Sequence, residues 1–321
     1  MQRADLIEQV RTTLARAGFA VSERCDLRPV SFDLVARRDK DLLILKVLGN
    51  VDALSEPIAQ EMKVLCKFLA ARPLLVGQRA GTGALEPGVV YARHDIPIVT
   101  PDTLEQYVLH GDAPVVFAAP GGFYVHIDAD ALRNAREMRA LSLGVVAQIA
   151  GVSRRAIQMY EEGMSASIDA AMRLEEFLQR ELIRPLDPFT AFDPAAFQPP
   201  QPERPSGDPL EALVTRLLQG LGYQVHSTQR SPFNALSTAN KETYLTGMGA
   251  DTPQLRRRAR VVTSVSRITG RPGFFVVERT TRTEMEGMPV VSRTELDRLD
   301  DPERILELIL ARQPRDSPDS G

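Results

Sequence analysis

The segment Leu141–Gly163, "LSLGVVAQIAGVSRRAIQMYEEG", reads as two short helices joined by a tight turn. Ser142 is an N-cap residue type, whose hydroxyl accepts an orphan backbone N–H. Val146, Ile149 and Ala150 follow at helical spacing, and Ala147 is small where a second helix must cross. Gly151 stands at the turn, where a positive φ costs a glycine little. Ser153 caps the second helix, Val152, Ile157 and Tyr160 form its inward face, and Gly163 stops it.

The outward positions separate a nucleic-acid reader from a helical hairpin that only fills a core with solvated arginines. In a helix-turn-helix the N-terminal part of the second helix meets base edges in the major groove. Here that part carries Arg154 and Arg155, with Gln158 and Met159 one turn later. Arginine bonds guanine O6 and N7 together, and glutamine pairs with adenine. Upstream lie Arg133, Arg136 and Arg139, so residues 133–155 hold five Arg against one acid, Glu137. The whole chain is at net charge −3, so this positive charge is local, as a phosphate-facing surface requires. The expected DNA-contacting set is Ser142, Ser153, Arg154, Arg155, Gln158 and Met159, with Arg133, Arg136 and Arg139 toward phosphates.

The stretch "REMRALSLGVVAQIAGVSRRAIQMYEEG" is similar to the Cro/phage-repressor (XRE) class of helix-turn-helix domain. The cap Ser, the Ala of the first helix, "AGVS" at the turn and "YEEG" at the close carry the likeness. With "SIDAAMRLEEFL" it extends from Ala131 to about Leu182. The wider layout resembles an archaeal family of helix-turn-helix transcriptional regulatory proteins, through domain order and the "APGGFYVHID" hairpin ahead of the helices. The resemblance implies a lambda-repressor-like domain that binds double-stranded DNA sequence-specifically and regulates transcription.

At 321 residues, two or three domains are expected. A hydrophobic content of 43% and a charged content of 25% are ordinary for a soluble globular protein. No apolar run approaches the ~20 residues that cross a bilayer. The start, "MQRADLIEQV", is amphipathic and lacks a signal-peptide core. Cys25 and Cys66 form no CxxC pair, which fits a reducing cytoplasm. The four histidines are scattered and read as surface or core residues, so neither metal nor cofactor is expected. The Gly-rich "VGQRAGTGALEPG" fits neither dinucleotide nor Walker spacing.

The flanks read as two copies of one unit. "LIEQVRTTLARAGFAV" (6–21) lies over "LEALVTRLLQGLGYQV" (210–225), with Leu6/Leu210, Val10/Val214, Leu14/Leu218, Gly18/Gly222 and Val21/Val225 coincident. "FDLVARRDKDLLIL" (32–45) then matches "FNALSTANKETYLT" (233–246), "RPLLVGQR" matches "RPGFFVVER", and "IPIVTPDTLEQY" matches "MPVVSRTELDRL". Four matches in one order argue for a duplication. "LLILKVL" reads as a buried central strand and "SEPIAQEMKVLCKFLAARP" as a crossover helix, with Ile58, Met62, Leu65 and Leu69 inward.

The element order resembles the restriction-endonuclease-like fold. That family pairs an Asp with an acidic-x-Lys on the next strand, the carboxylates holding Mg²⁺ and the Lys steadying the phosphate. Asp33 and Lys46 match, but the acidic position is Ile44. Glu8 matches an outer helical carboxylate of some members and does not replace a strand ligand. In the second copy the three positions are Asn234, Leu245 and Gly247. Both copies therefore read as catalytically inactive scaffolds, and Asp33 with Lys46 as a buried ion pair.

The expected fold class is α/β plus all-α. A restriction-endonuclease-like unit (1–112) is followed by a β-hairpin (113–130) and the helix-turn-helix (131–184). A stiff Pro-rich linker (185–209) then leads to the second unit (210–311) and a disordered tail (312–321). The hairpin reads as a wing against DNA, a dimer strand or a plain structural element. Eight prolines keep regular helix out of the linker, which Phe189, Phe192 and Phe197 pack in part. In the second copy Arg256, Arg260 and Arg267 share a helical face, either a phosphate-contacting surface or a solvated one, with Leu255, Val262, Val265 and Ile268 inward.

One helix-turn-helix reads about one half-site, which argues for a homodimer with half-sites one DNA turn apart, ~34 Å. The flanking units then dimerise the reader, set its spacing, or sense a small-molecule or protein effector. Two competing readings are a nuclease targeted by the helix-turn-helix and an antitoxin or assembly module.

Overall fold

The computed structural model describes residues 2–26, 30–81, 83–200, 208–299 and 301–312. In chain order the first part contains α1 (Arg3–Arg16), β1 (Ala20–Val21), β2 (Leu34–Arg38), β3 (Asp41–Asn50), α2 (Glu56–Leu69), β4 (Arg72–Ala80), β5 (Gly83–Ala84), β6 (Val89–Arg93), β7 (Ile96–Val99) and α3 (Pro101–Glu105). The middle contains β8 (Val116–Ala119), β9 (Gly122–Ile127), α4 (Ala129–Met138), α5 (Leu143–Ala150), α6 (Arg154–Glu161), β10 (Ala166–Ser167), α7 (Ile168–Leu178) and β11 (Ile183–Arg184). The last part contains α8 (Pro209–Gly220), β12 (Gln224–Ser227), β13 (Ala235–Ala239), β14 (Glu242–Gly249), α9 (Pro253–Thr269), β15 (Gly273–Val277), β16 (Glu284–Met285), β17 (Met288–Ser292), α10 (Arg293–Leu296) and α11 (Pro302–Arg312).

Two compact units form. One holds Met1–Thr13, Leu48–Ala53 and Leu74–Phe192, and the other Leu14–Val47, Leu54–Pro73 and Asp193–Gly321. The N-terminal α/β segment contributes to both.

In the first unit a sheet runs into the helical domain. β4 pairs with β7 in parallel (Leu75 opposite Ile98), and β7 with β6 antiparallel. β6 then pairs in parallel with β8 (Val90 opposite Phe117), and β8 turns through Pro120–Gly121 into β9. Gly121 has φ +99°, a conformation side chains disfavour. The far edge of β9 takes β10 and β11, which bracket α7. The outer edges of the hairpin are therefore paired within the chain near its base, at Val116 and Phe117 on β8 and at Tyr124 through Ile127 on β9. At the tip, among the described residues, Ala118, Ala119, Gly122 and Phe123 pair only with each other.

In the second unit β1, β2 and β3 pair antiparallel in order. The C-terminal strands run β12-β13-β14-β15-β17-β16, with β12–β13–β14 antiparallel and β14–β15–β17 parallel. Leu34 lies opposite Leu45 on β2–β3, and Ala235 opposite Thr246 on β13–β14, the register the internal alignment requires. Leu42 through Leu48 are all buried, as a central strand should be. Met62, Leu65 and Leu69 are buried on α2, and Ile58 is half-buried. Leu255, Val262, Val265 and Ile268 are buried on α9.

The N-terminal and C-terminal α/β segments meet within this unit. Ser31 donates through N and Oγ to the Arg230 carbonyl, at 2.6 and 3.0 Å. The Glu61 carboxylate accepts from the backbone of Gln229 and Arg230 and from Ser231 Oγ. Glu23 N donates to Ser264 Oγ on α9, and Phe68 of α2 packs on His226 of β12. Each crossover helix thus touches the opening region of the other α/β segment.

The Pro-rich segment is more anchored than a spacer. Phe189 is buried edge-on to Tyr107, whose hydroxyl donates to Asp187, and Phe192 is buried. In the other unit Lys63 sits over Phe197 and Lys67 donates to the Ala195 carbonyl. The span 201–207 and the tail from 313 lie outside the described residues. Arg312, assigned to the tail from sequence, instead ends α11, where Glu295 accepts from its guanidinium at 2.6 Å.

Candidate nucleic-acid interface

Four helices enclose a core of Val146, Ala147, Ala150, Ile157, Tyr160, Ala170, Leu174 and Leu178, closed below by Val125 and Ile127 of β9. The caps form as the sequence indicates. Ser142 Oγ accepts Val145 N–H at 3.3 Å, and Ser153 Oγ accepts Ala156 N–H at 3.1 Å. Gly151 takes φ +68° between the helices, and a Cβ there would collide with the Arg173 guanidinium. Burial raises the Tyr160 phenol above its ordinary value.

Arg154, Arg155 and Gln158 stand exposed on the first turns of α6. Among the described residues no hydrogen bond or ion pair engages either arginine. Met159 is half-buried, so only part of its side chain is available outward. Ser142 and Ser153 are exposed, as are Val145 and Met164 at either side of α6.

The upstream arginines do other work. Arg136 donates from Nε and Nη2 to the two carboxylate oxygens of Glu161, at 2.6 and 2.9 Å. The Glu161 carboxylate raises the Arg136 guanidinium further above its usual value. Arg133 donates to the Glu161 carbonyl and lies 3.9 Å from its carboxylate. Arg139 donates to the carbonyls of Phe177 and Leu178, at 2.7 and 2.6 Å, satisfying the C-terminal end of α7. Of these three arginines, expected to face phosphate, Arg136 is taken up by Glu161, while Arg133 stays half-exposed and Arg139 exposed beside their intrachain bonds. Glu161 lies beyond the 133–155 span, so the acid that Arg133 and Arg136 meet comes from another helix.

At the matching nuclease positions, Asp33 is 1% exposed and Lys46 4%. Asp33 Oδ2 accepts the Val47 N–H at 2.8 Å, and Oδ1 lies 3.7 Å from Lys46 Nζ. Lys46 Nζ donates to the Val30 carbonyl at 2.7 Å. Ile44 is fully buried where a second carboxylate would stand. One Asp33 oxygen thus serves the backbone and the other faces an ammonium, so these residues do not fit a divalent metal. Glu8 is exposed and pairs with Arg11 on its own helix.

In the second copy Asn234 Oδ1 accepts the Met248 N–H at 2.8 Å, the same bond Asp33 makes. The Phe275 ring occupies the space a side chain at Gly247 would need. The cation comes from α9 instead: Arg258 donates to Asn234 Oδ1 at 2.5 Å and to the Pro232 carbonyl at 3.0 Å. Its burial lowers the Arg258 guanidinium below its usual value. Sequence reading passed over Arg258, because nothing local marks it as the replacement for a strand lysine.

Residues 3–114 match the family described as the PD-(D/E)XK superfamily domain, and residues 132–183 match the family described as helix-turn-helix. A relative from Halobacterium salinarum is 42% identical over 97% of this chain and 98% of its own length. Others from Methanosarcina mazei and Methanococcoides burtonii are 39% and 40% identical, each over 98% of this chain and 98% and 99% of their own. All three are provisionally named HTH-type transcriptional regulatory proteins. No solved structure matches the chain. Fold and site together define a helix-turn-helix protein of mixed α/β architecture with a PD-(D/E)XK domain at its N-terminal end. The chain belongs to the family of these archaeal HTH-type transcriptional regulatory proteins. No helix among the described residues is long and apolar enough to cross a membrane.

Proposed function

We propose that the chain regulates transcription by reading double-stranded DNA through α6. The observation that carries this reading is the division of charge on that helix. Arg154 and Arg155 are left exposed at its N-terminal end, while the acid at its C-terminal end, Glu161, is taken inward by Arg133 and Arg136. Arg154, Arg155 and Gln158 meet base edges, and the exposed part of Met159 offers apolar contact to a thymine methyl. Ser142 and Ser153 accept their helix N–H groups and still have a hydroxyl proton for phosphate.

The α/β copies serve as a non-cleaving scaffold, each a degenerate form of the same fold. A homodimer presents two such heads to two half-sites, and the copy–copy contact inside one chain leaves that dimer to another surface. The test is genomic footprinting of the purified protein. A discrete protected site that Arg154→Ala and Arg155→Ala abolish supports the reading; uniform coverage without a preferred site overturns it.

A further inference from the structure

We propose that Glu162 is a positioning residue for base reading, holding the Gln158 amide in the orientation that recognises adenine; this rests on the reading of α6 as the DNA-contacting helix. Gln158 Nε2 donates to Glu162 Oε1 at 3.2 Å, one helical turn on, with both side chains exposed. A carboxylate only accepts, so the bond fixes which end of the amide faces Glu162. The carbonyl oxygen and the second N–H remain outward, the donor–acceptor pair that adenine N6 and N7 require.

Holding a long side chain before docking removes part of the ordering cost of the contact. The contrast with its neighbour makes the role specific. Glu161 is buried and neutralised by Arg136, whereas Glu162, the C-cap residue of the reading helix, stays exposed beside Gln158.

The experiment is selection from a randomised DNA pool with the full-length protein, comparing wild type with Gln158→Ala, Glu162→Ala and Glu162→Gln. Gln158→Ala should lose preference at one A·T pair by about tenfold or more. Glu162→Ala should weaken preference at that same pair by roughly threefold, a partial loss because the amide stays present but unheld. Glu162→Gln should restore it, since an amide oxygen also accepts. Three results overturn the proposal: Glu162→Ala binding all sequences more tightly and evenly, a loss at a different base pair (direct reading of cytosine), or unchanged preference. A wild-type pool without any enriched sequence instead brings down the reading of α6 itself, and this proposal with it.

Discussion

Arg136 grips Glu161 with two parallel hydrogen bonds, 2.6 and 2.9 Å long, across 25 residues of sequence. The pair ties α4 to the C-terminal end of α6, so the orientation of the reading helix depends on it. Arg136→Ala leaves a buried carboxylate without its main partner. A loss of about 2–3 kcal/mol in stability is expected. Denaturant titration of the full chain checks it, and a loss below about 0.5 kcal/mol, the usual surface value, would show that the pair contributes little.

Base reading and phosphate contact should separate. Arg154→Ala or Arg155→Ala should cost roughly 1–3 kcal/mol at the preferred site and little on random DNA. Arg139→Ala should act on stability rather than on DNA, because its donors serve the Phe177 and Leu178 carbonyls. Affinity titrations on both DNA types decide; an Arg139→Ala chain of full stability with weakened binding to both would return Arg139 to the phosphate backbone.

No Mg²⁺- or Mn²⁺-dependent cleavage of duplex, single-stranded or branched DNA is expected. Ile44 is buried at the position of the missing carboxylate, and both Asp33 oxygens are engaged. Metal-dependent nicking that vanishes in Asp33→Ala would contradict this and favour the nuclease reading.

The basic face of α9 should matter little to DNA. Arg256 pairs with Asp251 and Arg260 with Glu286, each at 3.0 Å, while Arg267 stands exposed. Binding measured over a salt series should show that the triple Arg→Ala variant reduces the slope by at most about 0.9, one phosphate's worth. A reduction near three times that would place all three arginines on DNA.

Acid should weaken the C-terminal copy at one identifiable carboxylate. The hydrogen bond from Arg312, with those from Ser292, holds Glu295 down to about 2. Its folded value lies below its unfolded one, so its contribution is complete above about pH 4.5 and fades as pH falls toward 2. Glu295 is partly exposed, which limits the effect to about 1 kcal/mol. Melting curves of wild type and Glu295→Gln should differ at pH 6 and converge near pH 2; a constant gap across that range would remove Glu295 from the acid response.

What the sequence disclosed was local chemistry. Ser142, Gly151 and Ser153 were legible because caps and turns depend on residues within a few positions, and all three behave as their types require. The likeness of Asp33 and Asn234 was legible because the two flanks keep the same spacing, and each accepts the N–H fourteen residues on. Partners brought from afar were not. Arg136 looked like a phosphate contact until Glu161 arrived from another helix, and Arg258 became the replacement for Lys46 only once α9 lay across β13's approach. Likewise the pairing of β8 with β6, and of β9 with β10 and β11, was not legible, because it forms only through tertiary contact.

The unbroken ladder from β4 through β7, β6, β8 and β9 to β10 and β11 makes the helix-turn-helix a fixed tool on a stiff arm rather than a head on a leash. A leashed head tolerates any spacing its tether can span. A fixed one is locked to the helical phase of the duplex. For the proposed dimer, inserting a single base pair between half-sites turns the second by roughly 35° and shifts it ~3.4 Å, with about 10 pairs to a full turn. Such an operator should therefore tolerate drift in its bases more readily than any change in its length.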